Sequence, residues 1–228
     1  MNFTRYAIYY TPAPGPLADF GAAWLGWDAD AGRSVPHPQV PDLPAPVEEI
    51  TATPRKYGLH ATIKPPFRPA PGTTEDALEV ALARFCAGRG PVTLDGLELA
   101  QLGRFLALRP VGDETALNAM AAEAVRGLDT FRAPLTQPEI ARRRAAGLSP
   151  AQDTLLLRYG YPFVMEEFRF HITLTGKLPK AQARQTAEAL APHLAPLLPA
   201  PFTIDGLSLV GEDEAGRFHV ISRHAFTG

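Results

Sequence analysis

Two short stretches of this chain carry one alternating pattern, and together they restrict what it can fold into. Phe168 to Lys177 reads FRFHITLTGK, with Phe170, Ile172 and Leu174 on one parity and Arg169, His171, Thr173, Thr175 and Lys177 on the other. Tyr57 to Lys64 reads YGLHATIK, with Leu59, Ala61 and Ile63 on one parity and His60, Thr62 and Lys64 on the other. Successive side chains of a strand point to opposite faces, so each stretch is expected to be a strand with an apolar inner face and a polar outer one. Core packing has no use for a histidine, threonines and cations in a single row. The two His-x-Thr copies, His60 and His171, lie 111 residues apart.

The likeness extends past the histidines. Each copy is followed by a helical stretch and then by a shared kernel: PVTLDGLELAQLGRFLALRP at 91–110 and PFTIDGLSLVGEDEAGRFHVISR at 201–223. Equal order and near-equal spacing indicate two copies of a strand, helix, strand, strand unit, 56–110 and 166–223, within one bilobal domain spanning 1–228. Two such half-domains would face each other across a central groove. Asp95-Gly96 and Asp205-Gly206 fall inside strand candidates, where a bend or bulge is the expected role.

The remaining chain reads as ordered connections and amphipathic helices. A short strand is expected at 6–10, with Arg5 or Tyr6 able to face the site, and a helix at 17–25. Pro65-Pro66 are expected to end the first signature strand. Helices are expected at 75–87, 114–128, 138–146 and 179–198, the last with Pro192 as a candidate break, and strands at 91–99, 105–109, 202–210 and 217–222. Arg142, Arg143 and Arg144 cannot share one helix face, since neighbours are about 100° apart. A solvated surface is the plain reading of that run, and one inward contact is its alternative. Residues 28–55 are rich in proline, and His37 among them is expected at the surface. His193, His219 and His224 are expected to be structural or exposed, with the groove as the alternative for His219.

Composition sets outer limits. With 46% hydrophobic and 20% charged residues and a net charge of −2, the 228-residue chain is an ordinary globular one. No apolar run is long enough to span a membrane, and the start lacks a signal peptide pattern, so a cytoplasmic location is expected. The single cysteine, Cys86, allows no internal disulfide and is expected to be buried. The near-neutral charge argues against long nucleic acid as a partner, while leaving room for a local basic pocket.

Paired histidines on strand faces suit acid-base chemistry near neutral pH. One can take a proton from water while the other gives one to a leaving oxygen. Thr62 and Thr173, on the same faces, can donate hydrogen bonds to phosphate oxygens. Lys64, Arg169 and Lys177 share that parity and are candidates for neutralising phosphoryl charge. No HxH, HExxH or acidic cluster adjoins either histidine, so neither a metal nor another cofactor is expected. A phosphate-binding protein without turnover, and an activity on RNA ends, remain alternatives.

At these residues the chain resembles the 2H phosphoesterase superfamily, named for its paired His-x-Thr/Ser motifs. More narrowly, RYAIYYTP at 5–12, YGLHATIKPPF at 57–67 and YGYPFVMEEFRFHITLTGKL at 159–178 are similar to the bacterial group DUF1045, which is associated with phosphonate catabolism. The resemblance implies an α+β bilobal fold, with two pseudo-symmetric lobes and antiparallel sheets around a groove. It also implies His60 and His171 as the acid-base pair, Thr62 and Thr173 as phosphate ligands, and a small phosphorylated substrate such as a cyclic nucleotide or ribose phosphate. Tyr57, Lys64, Arg68, Tyr159, Tyr161 and Arg169 are the candidates for substrate selection.

Overall fold

The computed structural model describes residues 2–228. In chain order the elements are β1 (Arg5–Tyr10), α1 (Pro16–Leu25), the two-residue strands β2 (Trp27–Asp28) and β3 (Arg33–Ser34), α2 (Val47–Ile50), β4 (Ala61–Phe67), α3 (Glu75–Ala87), β5 (Val92–Leu94), β6 (Gly96–Leu102), β7 (Phe105–Val111), α4 (Thr115–Gly127), α5 (Gln137–Arg144), α6 (Pro150–Tyr159), β8 (Ile172–Thr173), α7 (Lys180–Leu194), β9 (Phe202–Ile204), β10 (Gly206–Glu212) and β11 (Phe218–Ala225). This is an α+β fold. A seven-stranded sheet has the order β11-β10-β1-β4-β8-β7-β6, and all its pairs are antiparallel.

One face of this sheet carries the main core. Ile8, Ala61, Ile63, Ile172, Leu174 and Leu209 pack there with Trp24 of α1, Leu78 and Leu82 of α3, Leu117 of α4 and Leu190 of α7. Helix ends follow local chemistry: Thr74 caps α3 through its hydroxyl, and Thr136 and Ser149 form capping boxes that open α5 and α6. Leu155, Leu156 and Tyr159 lie in the second half of α6, which ends at Gly160 in a left-handed cap.

The two repeats do not form a lobe each. Helix α3 of the first repeat packs on β10 and β11 of the second, while α7 of the second packs on β6 and β7 of the first. Strand β4 lies on the β11-β10-β1 side and β8 on the β7-β6 side. Each half of the sheet therefore combines a signature strand from one repeat with a hairpin from the other. The Asp-Gly steps make this exchange possible. At Asp95 and Asp205 a continuous strand candidate is cut in two: β6 and β10 join the large sheet, while β5 and β9 leave it and pair with each other.

Thr93 sits directly opposite Thr203 in that small pair, and Ala61 directly opposite Ile172 in the large sheet. Both are pairs of repeat-equivalent residues. A local twofold relation thus runs through the β5-β9 and β4-β8 contacts.

Candidate active site

The second signature strand is shorter than its alternation suggests. A 3-10 turn occupies Met165–Glu167, and only Ile172–Thr173 pair as strand. The Arg169 guanidinium donates to the carbonyls of Glu166 and Phe168, holding the segment before His171 in a curl. The first strand starts later than expected, at Ala61 after a 3-10 turn at Arg55–Tyr57, and continues through Pro65 and Pro66 to Phe67. Prolines are tolerated there because β4 pairs with β8 only at Ala61, leaving one edge of β4 without ladder partners beyond that point.

The pairing of Ala61 with Ile172 arranges the four motif side chains. Antiparallel geometry sets His60 across from Thr173 and Thr62 across from His171, with the histidines on a diagonal of roughly 7–8 Å. All four face away from the helices. His60, Thr62 and Thr173 line a cavity of about 350 Å³ with Arg5, Tyr9, Thr53, Tyr57, Arg143 and Tyr161. His171 and Thr62 line an adjoining cavity of about 380 Å³ with Leu102, Tyr161, Phe163, Phe168 and Arg169. These volumes fall in the range of small-molecule sites.

Both imidazoles are oriented alike. His60 Nδ1 lies 3.0 Å from the Gly58 carbonyl, and His171 Nδ1 lies 2.8 Å from the Arg169 carbonyl. A carbonyl only accepts, so Nδ1 carries the proton in each ring and the Nε2 lone pair is left for chemistry. At His60, Nε2 is 3.2 Å from the Thr62 hydroxyl, which donates to it. The surroundings of the rings differ. His60 is stacked on Tyr9 with centroids 3.9 Å apart and is flanked by Tyr57 at 5.6 Å. Burial, reinforced by the nearby His171, pushes its pKa down to about 4, so it is neutral at pH 7. His171 has Phe105 beside it, at 5.7 Å between centroids.

The third member of each row is not in the site. Lys64 is almost completely buried, and its Nζ donates to the Val125 carbonyl at 3.1 Å and to Asp129 at 3.0 Å. The register of β4 against β1 slips between the Ile8–Lys64 and Tyr9–Thr62 pairs. This bulge gives β4 one extra residue and turns Lys64 to the same side as Ile63, toward α4. The reading of Lys64 as a phosphate or substrate ligand is corrected accordingly. Its repeat equivalent, Thr175, is also buried. The amides of Leu174 and Thr175 both donate to the Leu106 carbonyl, and the Thr175 hydroxyl accepts from the Leu106 amide. Lys177 is exposed and lines neither cavity.

Of the other candidates, Tyr57 and Tyr161 line the His60 cavity, and Arg169 lines the His171 cavity. Arg68 and Tyr159 lie beyond both. Arg68 pairs with Glu139 at 3.0 Å, and Tyr159 is buried with Val125, Leu155 and Val164, so neither meets a ligand held between the histidines. His37 is half-buried, not a surface residue, because its Nδ1 bonds the Trp24 carbonyl. His219 bonds Asp213 at 2.8 Å and packs against Trp27.

Tyr9 and Arg143 line the cavity although neither is marked by the signature rows. Tyr9 follows from parity within β1, where Arg5, Ala7 and Tyr9 share the face opposite the helices. Arg143 is the inward member of the arginine run, while Arg144 turns away to Asp153. Among the described residues no three His, Cys, Asp or Glu side chains converge as a metal site needs, and no helix is long and apolar enough to cross a membrane.

Fold and site define an α+β protein in which two His-x-Thr rows, related by an internal twofold, meet across one antiparallel sheet. The family described as a protein of unknown function, DUF1045, matches residues 62–219, and the chain belongs to it. The chain is 39% identical over 224 residues to ribose 1,5-bisphosphate phosphokinase PhnN of Janthinobacterium sp. (strain Marseille), and 34% identical over 220 residues to the protein of that name from Laribacter hongkongensis (strain HLHK9). The alignments cover 94% and 93% of this chain and 49% of each relative, so the chain spans about half the length of the curated relatives it matches. Among solved structures it is similar to E. coli LigT complexed with 3'-AMP, at 16% identity, full coverage of both chains and a TM-score of 0.49. It is also similar to TT0787 of Thermus thermophilus, at 13% identity, 98% coverage of both chains and a TM-score of 0.43.

Proposed function

We propose that this chain is a metal-independent phosphoesterase of the 2H type that opens a small cyclic phosphodiester, a cyclic nucleotide or cyclic ribose phosphate. The observation that carries the reading is the opposition of Ala61 and Ile172, which sets two identically oriented imidazoles and two threonine hydroxyls along two adjoining cavities that share Thr62 and Tyr161. Neutral His60 takes a proton from the attacking water through Nε2. The Thr62 hydroxyl, released from His60, and Thr173 donate to the nonbridging oxygens. His171, protonated at Nε2, gives its proton to the leaving ring oxygen as the P–O bond breaks. The product is a phosphate monoester with a free hydroxyl, and each histidine ends in the other's starting protonation state. The names of the curated relatives favour ribose, since both are named for a phosphorylated ribose. The link to phosphonate breakdown rests on the family resemblance.

The test is phosphorus NMR of EDTA-treated protein with 2',3'-cyclic nucleotides, ribose 1,2-cyclic phosphate and short RNA carrying a cyclic end. A new monoester signal is expected, absent with H60A and with H171A. Full turnover by both single variants overturns the reading.

A further inference from the structure

The cavity beside His60 is walled on one side by guanidinium groups. Arg5 and Arg143 line it, and both also line a narrow extension past Pro65 and Pro66, where Arg68, Arg132 and Arg142 join them. Most of this charge is matched. Glu212 holds Arg5, Glu139 holds Arg68, and Asp129 takes both Lys64 and Arg132.

Arg143 is different. Among the described residues no carboxylate pairs with it. Its guanidinium lies over the Tyr161 ring, 4.7 Å from the centroid, and its Nε is buried without a hydrogen-bond partner. A guanidinium is always charged, and a half-buried charge without a counter-ion is costly unless an anion completes it. The aromatic face beneath it fixes its plane without neutralising it.

We propose that Arg143, with Arg5 beside it, binds a second phosphate of the substrate, so that the site takes a cyclic phosphodiester that also carries a terminal phosphate monoester. This deepens the phosphoesterase reading and rests on it for the identity of the first phosphate. Glu212, Glu139 and Asp129 occupy Arg5, Arg68 and Arg132, and Arg142 is exposed to water, which leaves Arg143 as the half-buried charge to be met.

Calorimetry with ribose 1-phosphate and ribose 1,5-bisphosphate tests this without turnover. A charge-assisted contact of this kind is worth about tenfold to a hundredfold in affinity. The wild-type protein is therefore expected to prefer the bisphosphate by that margin. R143Q is expected to lose most of the preference and R143K to keep part of it. Equal wild-type affinities, equal weakening of both ligands in R143Q, or no binding of either overturns the proposal. Histidine-dependent opening of a 2',3'-cyclic nucleotide, measured on the same protein, reports on the phosphoesterase reading separately. Turnover without the preference removes only the second-phosphate site. A preference lost in R143Q, without turnover, removes only the phosphoesterase reading.

Discussion

The two His-x-Thr rows share a sequence and differ in their supports. The first sits on a seven-residue strand in the middle of the sheet, with Tyr9 stacked on His60 and Thr62 bonded to it. The second sits on a two-residue strand approached through a curl held by Arg169, with the more open His171 beside Phe105. Each ring gives its Nδ1 proton to the carbonyl two residues earlier, so orientation is common to both. Burial acts on His60 and keeps its ring neutral at pH 7. The lesson is that a duplicated motif fixes where the reacting nitrogens point, while the packing around each copy sets its own electrostatic surroundings.

The largest effect that can break this comparison is loss of either histidine. H60A and H171A are each expected to lower kcat by about 10²–10⁴-fold, read by single-turnover phosphorus NMR with circular dichroism unchanged. If one variant keeps full activity, the rows do not work as a pair.

Protonation comes next. With its pKa pushed down to about 4, His60 is expected to titrate well below an ordinary imidazole, seen as an NMR chemical-shift titration missing from H60A. The acid limb of kcat/KM should follow it. An unfolded chain protonates that histidine near 6.5, whereas the folded chain resists until about 4. Stability should therefore fall as pH drops through that window, and urea denaturation at pH 7 and pH 4.5 should show a smaller loss for H60Q. Equal pH dependence in both proteins would leave the asymmetry without support.

Thr62 and Thr173 should be closer to equivalent. T62V and T173V are each expected to cost about tenfold in kcat, measured against one substrate. The smallest effect on activity belongs to the third row members. K64M and T175V should leave kcat near wild type while lowering the unfolding free energy by about 1–3 kcal/mol, since K64M strands the Val125 carbonyl and T175V the Leu106 amide. A large kcat loss in K64M with stability intact would return Lys64 to the site.

Much of this was legible in residue order. Period-two alternation revealed the faces of both motifs, although only Ile172–Thr173 of the second stretch pairs as strand, and the repeated Thr-apolar-Asp-Gly kernel revealed the duplication. Parity failed at Lys64 and Thr175 for one physical reason: alternation assumes an unbroken ladder, and each strand breaks its ladder just after the motif threonine. Arg143 was hidden in a run of like charges, where spacing requires that the three point differently but does not say which one turns inward. The exchange of hairpins between repeats was equally hidden. Sequence similarity identifies equivalent strands, whereas their partners depend on how the Asp95 and Asp205 breaks steer the chain.

That exchange governs how the molecule comes into being. Leu78, Leu82 and Cys86 on α3 are covered by a hairpin made from residues 206–225, so a chain still emerging from the ribosome keeps them uncovered until that hairpin has been made. Contacts this distant in sequence form slowly and leave apolar surface open to aggregation in the interval. Neither repeat can serve as a folding unit for the other to build on.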